Sequence, residues 1–117
     1  MDEKAYERAR LLLAKLKRDD AAWPFLRPVD PVALGIPTYF DLVKNPMDFS
    51  TIQKRLAKKG YSHVAEFVAD IQLVIDDCFL FNIPDTPVHD CGKAILALAD
   101  TLLEPDQWNS WLFAEVL

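Results

Sequence analysis

Apolar residues recur every three or four positions between residues 64 and 79, and this spacing leaves few possible folds. The residues that carry the pattern are Val64, Phe67, Val68, Ile71, Val74, Ile75, Cys78 and Phe79. Because positions three and four apart share one face of a helix, the pattern predicts an amphipathic helix with a continuous buried stripe. Such a stripe must be covered by other elements, so the rest of the chain has to supply them.

Three further segments show the same helical spacing. The predicted helices cover about residues 2–20, 48–59, 62–82 and 87–104. Asp48, or Ser50 with Gln53, is placed to cap the second helix, Ser62 is placed to cap the third, and Pro87 suits the first position of the fourth. Four helices of which none can bury its apolar face alone predict an all-α antiparallel four-helix bundle.

The length of the chain predicts one domain, and its cysteines do not indicate a disulfide framework. A length of 117 residues suffices for a single core, so residues 1–117 are predicted to form one domain. The apolar segment 105–117, with Trp108 and Trp111, is expected to dock on the bundle as a short extra helix. Cys78 and Cys91 lie on apolar stripes and form no CxxC pair, which favours small buried side chains over a disulfide.

The segment from residue 22 to residue 48 has a different composition. It holds five of the eight prolines, together with Gly35, so no long helix fits there. It is nevertheless rich in aliphatic and aromatic residues, and long apolar loops in a small domain are commonly functional. A second proline-containing turn, residues 82–88, ends the third helix. These two loops are the candidate site.

Charge and residue types exclude several functions. The net charge is −5 and the basic residues are scattered, which argues against direct nucleic-acid binding and suits a basic partner. No segment has the length and apolar composition of a membrane span, and the charged N-terminus is unlike a signal peptide, so a soluble intracellular protein is expected. Catalytic and phosphate-binding motifs are missing, and Asp85 with His89 make a poor metal set. We therefore expect no enzyme, metal or cofactor.

Three segments together resemble the bromodomain family: WPFLRPVD at 23–30, IPTYFDLVKNPMDFSTIQKRL at 36–56 and CFLFNIPD at 78–85. The Trp-Pro-Phe opening is most similar to the BET subgroup. The resemblance implies a left-handed bundle with a pocket for acetylated lysine at one end, formed by loops 22–48 and 82–88. It also implies a function in chromatin-linked transcription regulation in the nucleus.

The resemblance also assigns roles to individual residues. Asn82 matches the asparagine that donates a side-chain hydrogen bond to the acetyl carbonyl, and Tyr39 matches the tyrosine that reaches the same oxygen through a water. Phe81 flanks the anchor, where many relatives have tyrosine, so the pocket is expected to be more apolar. The other implied lining positions are the walls Val29, Leu34 and Ile36, the shelf Trp23, Pro24 and Phe25, and the gate Val88.

The implied partners are acetylated histone tails, with other acetylated proteins as further candidates, and the domain is expected to be monomeric. Two alternatives remain open. The first is a bromodomain-like helical scaffold that docks another protein through its surface or through the tail with Trp108 and Trp111. The second is a targeting module that belongs to a larger enzyme.

Overall fold

The computed structural model describes residues 1–103, and every regular element within them is a helix. The elements are α1 (Glu3–Arg18), a 3₁₀ helix (Asp20–Phe25), α2 (Tyr39–Leu42), α3 (Phe49–Ala57), α4 (Val64–Phe81) and α5 (Pro87–Leu102). The predicted all-α class is confirmed. The four longer helices α1, α3, α4 and α5 correspond to the four predicted ones.

Local capping explains where the helices begin. Asp2 caps α1 by accepting the N–H of Ala5 at 2.8 Å, and Asp48 caps α3 by accepting the N–H of Thr51 at 3.1 Å. Of the two predicted caps for α3, Asp48 is therefore the one used. Ser50 lies inside that helix and donates its hydroxyl to Asp48.

The predicted cap of α4 is wrong. His63, and not Ser62, occupies the N-cap position. The carboxylate of Glu66 accepts the N–H groups of both Ser62 and His63 at 3.0 Å. Glu66, in the first turn of the helix, thus bonds to the backbone N–H of the N-cap residue His63, as in a capping box, and the same carboxylate also accepts the N–H of Ser62.

Short hydrogen-bonded turns order the proline-rich loop. The carboxylate of Asp30 accepts the N–H of Val32 at 3.1 Å, and the N–H of Ile36 bonds to the carbonyl of Pro31 at 2.8 Å. Gly35 lies between them with φ of +67°, a backbone conformation that side-chain-bearing residues rarely adopt. The loop holds only the end of the 3₁₀ helix and the single turn of α2, in agreement with the expectation of no long helix.

The four longer helices enclose one core. Helix α1 contacts α3 and α5, and α4 contacts the same two helices, which is the arrangement of a four-helix bundle. The largest fully buried side chains are Tyr61, Phe49, Phe67, Leu13, Leu16, Ile52, Leu56, Ile71, Ile75, Ile95, Val43 and Val64. The 3₁₀ helix packs on α1 and α5, and α2 packs on α4, so the loop is fixed to one end of the bundle.

Gly92 sets the close approach of α5 to α4. A Cβ atom at this position would lie 2.6 Å from the sulfur of Cys78 and 3.0 Å from the ring of Phe79. Only glycine fits there without displacing the side chains of Cys78 and Phe79, since protein interiors are closely packed.

Some sequence expectations fall on residues 104–117, outside the described part of the chain. These are the last predicted residue of the fourth helix and the extra C-terminal helix with Trp108 and Trp111. No helix within residues 1–103 has the length and apolar composition needed to cross a membrane.

Candidate ligand-binding site

A cavity of about 350 Å³ opens where the proline-rich loop meets the turn after α4. The structure brings all ten residues predicted for the site to its lining: Trp23, Pro24, Phe25, Val29, Leu34, Ile36, Tyr39, Phe81, Asn82 and Val88. These residues come from the 3₁₀ helix, the loop, α2, the end of α4 and the start of α5. The helical bundle is thus the frame that holds two loops against each other.

The lining changes in exposure from the mouth inwards. Trp23 is 60 % exposed and Leu34 is 64 % exposed, so both lie at the mouth. Phe25 and Tyr39 are buried, and Phe25 also packs edge-on against Phe49 of the core at 6.1 Å between ring centroids. The pocket therefore has an apolar rim in contact with solvent and an interior anchored to the core.

Asn82 ends α4, and its side chain is oriented by the turn before it. Its backbone N–H bonds to the carbonyl of Cys78 at 2.9 Å, and its side-chain Nδ2 donates to the same carbonyl at 3.0 Å. A primary amide carries two N–H donors, so this bond positions the amide and leaves one N–H for another acceptor. The thiol of Cys78 also lies within reach of the amide, and a thiol is only a weak acceptor.

Tyr39 starts α2 and presents its ring to the cavity. The ring packs edge-on against Phe81 at 5.0 Å and against Phe40 at 5.5 Å between centroids. Burial, with a smaller contribution from the nearby Asp77, raises the pKa of the Tyr39 hydroxyl to about 12. The hydroxyl therefore remains protonated at physiological pH and is available as a hydrogen-bond donor.

Val88 lies in the first turn of α5, which is tied to α4 beside the anchor. The thiol of Cys78 donates to the backbone carbonyl of Val88 at 3.3 Å. Burial raises the pKa of this thiol to about 11, so it stays protonated and is no nucleophile at neutral pH.

The structure adds lining residues that the sequence did not single out: Arg27, Met47, Val74, Asp77 and Cys78. Asp77 is the most consequential, because it is a carboxylate with only 4 % of its surface exposed. It lies three residues after Val74 and four before Phe81, on the face of α4 that those residues share. That spacing is the signal by which it could have been found.

One oxygen of Asp77 accepts a hydrogen bond from the backbone N–H of Met47, at the end of the proline-rich loop. The other oxygen, Oδ2, is buried and has no hydrogen-bond partner among the described residues. Burial, with a smaller effect of the Asp76 carboxylate, raises the pKa of Asp77 to about 6. The apolar pocket thus includes a carboxylate that changes its charge close to neutral pH.

No group of side chains within residues 1–103 is arranged to hold a metal ion. His89, which was weighed as a ligand beside Asp85, packs its ring on Phe79 with centroids 4.8 Å apart.

Comparison with known proteins places this chain in a family. The model of the bromodomain family matches residues 9–94, which include every lining residue of the cavity. The chain belongs to the bromodomain family. The resemblance noted in the sequence is thereby confirmed at the level of the family, while the similarity of the loop to the BET subgroup stays a prediction.

Curated bromodomain proteins resemble the chain over most of its length. The SWR1 complex bromodomain subunit bdf1 of Schizosaccharomyces pombe is 49 % identical over 83 residues, which cover 71 % of this chain and 14 % of that protein. Bromodomain-containing factor 2 of Saccharomyces cerevisiae is 46 % identical over 89 residues, or 76 % of this chain and 14 % of the relative.

A human relative extends the similarity to animals. Bromodomain adjacent to zinc finger domain protein 2A of Homo sapiens is 45 % identical over 82 residues, which cover 70 % of this chain and 4 % of that protein. The bromodomain described here therefore corresponds to a small part of each of these longer proteins.

Proposed function

We propose that this bromodomain is a reader of acetylated lysine, which it binds in the cavity with Asn82 as its polar anchor. The observation that carries the proposal is the oriented amide of Asn82, held by the Cys78 carbonyl at a cavity whose lining is otherwise largely apolar. The proposal assigns binding and no catalysis to the domain.

The chemistry of acetyl-lysine suits such a site. Acetylation removes the charge of the lysine and leaves a neutral amide on an apolar four-carbon stem. The stem and the methyl group favour contact with Val29, Ile36 and Val88, while the acetyl carbonyl accepts the N–H of Asn82. A volume of about 350 Å³ lies at the lower end of the range of roughly 300–1,000 Å³ found for small-ligand sites.

Tyr39 supplies the second polar contact in this proposal. Its hydroxyl stays protonated and makes no hydrogen bond to another described residue. We assign it the contact to the acetyl oxygen through a water molecule, since a bridging water gives up little enthalpy relative to a direct bond. Because Phe81 lacks a hydroxyl, Tyr39 and Asn82 are the principal donors toward the ligand.

Acetylated histone tails are the proposed partners, and the nucleus is the proposed location. Histone tails are basic, and the net charge of −5 on this chain favours association with a basic peptide. The exposed rim residues Trp23 and Leu34 are placed to contact peptide residues beside the acetyl-lysine. One buried side chain supplies little area, so a dissociation constant in the micromolar range or above is expected.

Titration of histone peptides in acetylated and unmodified forms tests this function. Isothermal titration calorimetry with the same peptide in both forms should give saturable binding for the acetylated form alone. A third peptide with the acetylated lysine replaced by norleucine keeps the apolar stem and removes the amide. Equal binding of all three peptides, or no binding of any acetylated peptide, would contradict the proposal.

A further inference from the structure

Asp77 is the only carboxylate in the described lining of the cavity. Its position is fixed from both sides, because α4 holds its backbone and the N–H of Met47 bonds to one of its oxygens. Oδ2 has no protein partner among residues 1–103, although only 4 % of the residue is exposed. A buried ionised carboxylate that is only half hydrogen-bonded is costly, and its cost depends on what occupies the space beside it.

The charged and titratable groups around Asp77 do not neutralise it. Arg27 lines the same cavity from the loop, but it is exposed and forms no ion pair with Asp77 within the described chain. On α4, Asp76 adds a like charge, and the thiol of Cys78 stays protonated. On α2, Tyr39 is a neutral phenol.

Helix α5 adds no titratable group to the lining. His89 packs on Phe79, and Cys91 lies near Cys78, but neither residue belongs to the cavity lining. Among the described groups that line the cavity, Asp77 is therefore the one whose charge changes near neutral pH, and a ligand in the cavity would lie beside it.

We propose that Asp77 is a specificity-determining residue of the pocket, whose ionised carboxylate opposes the entry of a neutral acyl-lysine and whose protonation favours it. The inference rests on the proposed function, because it requires an acyl-lysine in the cavity. It assigns to the pocket a dependence on pH that Asn82 and Tyr39 do not supply.

The physical argument is one of linkage between ligand and proton. A neutral, largely apolar ligand that fills the cavity displaces most of the water from it and makes the ionised form of Asp77 less favourable still. The pKa of Asp77, about 6 in the free protein, must then rise on binding. If ligand binding raises a pKa, protonation must strengthen ligand binding by the same factor.

The experiment measures the affinity for an acetylated peptide without histidine or acidic residues at pH 5.5, 6.5 and 7.5. For wild type, the affinity is expected to rise roughly fivefold from pH 7.5 to pH 5.5, because a pKa increase of one unit corresponds to at most a tenfold gain. Asp77→Asn keeps the shape of the side chain and cannot ionise. Its affinity should vary by less than about twofold over the same range.

Asp76→Asn is the matched control, because Asp76 is the exposed neighbour of Asp77 and its loss removes the same formal charge. It should keep most of the pH dependence of wild type, because the Asp76 carboxylate is the smaller cause of the raised Asp77 pKa. If Asp77→Asn does not fold, the carbon-13 resonance of the Asp77 carboxyl group in wild type gives its pKa directly. This pKa should be higher with the peptide bound than without it.

The possible outcomes separate the two proposals. A flat pH profile for wild type, or a slope that survives in Asp77→Asn, overturns the role of Asp77 and leaves acetyl-lysine binding intact. An unchanged carboxyl pKa on peptide binding overturns it as well. If wild type binds no acetylated peptide at any pH, the proposed function fails, and the inference fails with it.

Discussion

The two ends of the bundle differ in how completely their polar groups are hydrogen-bonded within the described chain. The network end, formed by Tyr6, Arg55, Tyr61, Glu66 and Asp70, pairs its polar groups with each other, and Tyr6, Tyr61 and Asp70 among them are buried. The hydroxyl of Tyr6 donates to the carbonyl of Tyr61 at 2.6 Å, and the hydroxyl of Tyr61 donates to Asp70 at 2.5 Å. Arg55 bonds to Asp70 at 3.2 Å and to Glu66 at 3.1 Å.

The pocket end, formed by Tyr39, Asp77 and Asn82, leaves part of its hydrogen-bonding capacity unused within the protein. Oδ2 of Asp77 lacks a partner in the described residues, and the amide of Asn82 has one strong acceptor for two donors. Satisfied polar networks stabilise a fold, whereas unsatisfied groups cost stability and are tolerated where they serve binding. The comparison therefore predicts that changes at the network end alter stability and that changes at the pocket end alter ligand affinity.

Tyr6→Phe tests the network end and should have the largest effect. The Tyr6 hydroxyl also accepts the N–H of Tyr61 at 3.1 Å, so its removal leaves two buried backbone groups of Tyr61 unpaired. We expect the free energy of unfolding to fall by about 3 kcal/mol. Urea denaturation measures this loss.

The affinity of the folded Tyr6→Phe variant for an acetylated peptide should equal that of wild type. A loss of stability below about 1 kcal/mol would show that water replaces the hydroxyl without cost. A loss of affinity in the folded protein would show that the two ends are coupled, which contradicts the comparison.

Asn82→Ala tests the pocket end and should be the next largest effect. Loss of the anchor amide is expected to weaken acetyl-lysine binding by about 2 kcal/mol, or roughly thirtyfold, because the ligand carbonyl is left buried without its donor. The free energy of unfolding should change by less than about 1 kcal/mol, since the backbone N–H of residue 82 still bonds to Cys78. Calorimetric peptide titration and urea denaturation measure the two quantities.

Asn45→Ala is the control, because Asn45 lies exposed in the proline-rich loop. It should leave peptide affinity unchanged. If Asn82→Ala binds as tightly as wild type, Asn82 is not the anchor.

The sequence alone predicted the four longer helices, because the apolar periodicity that indicates a helix is local. The apolar stripe that ends at Cys78 and Phe79 repeats along the helix itself, so it shows where the helix lies before any partner is known. The start of α4 was harder to predict, because Ser62 is a good cap in isolation. Glu66 bonds to the backbone N–H groups of both Ser62 and His63 from inside the helix, and the cap preference of a single residue does not reveal that contact.

The family motifs pointed to ten residues that line the cavity, but they did not point to Asp77. A single acidic residue beside an apolar stripe is usually solvent-exposed. Its burial depends on Met47, which is distant in sequence and is brought to α4 only by the folded loop. Long-range contacts of this kind leave no periodic pattern, so they require the structure.

Asp77→Asn should stabilise the protein at neutral pH. The increase in the free energy of unfolding then measures how much the buried carboxylate destabilises the fold. The pKa of Asp77 is raised from 3.8 to about 6 on folding, so the folded state holds the proton more tightly. The contribution of Asp77 to the free energy of unfolding should therefore fall as pH rises from about 4 to above 6, and stay low beyond that. We expect the variant to lack this contribution and to be about 1–2 kcal/mol more stable at pH 7.5.

Urea denaturation of Asp77→Asn and wild type between pH 4 and pH 7.5 measures that difference. Asp76→Asn serves as the control, since it removes an exposed charge and should keep most of the slope. A difference between Asp77→Asn and wild type that does not grow with pH would mean that the carboxylate bears no penalty for burial. The stability cost assigned to the pocket end would then be wrong.

Tyr39→Phe makes the same change at the pocket end that Tyr6→Phe makes at the network end, and it should have the smallest effect. The ring contacts with Phe40 and Phe81 do not involve the hydroxyl, so the free energy of unfolding should stay within about 0.5 kcal/mol of wild type. Affinity for an acetylated peptide should fall by about 1 kcal/mol, the typical value of one hydrogen bond. Calorimetry and urea denaturation of both variants show whether the change from Tyr to Phe lowers stability at the network end and affinity at the pocket end. If Tyr39→Phe loses stability and keeps its affinity, its hydroxyl belongs to the fold, and the contrast between the ends fails at this residue.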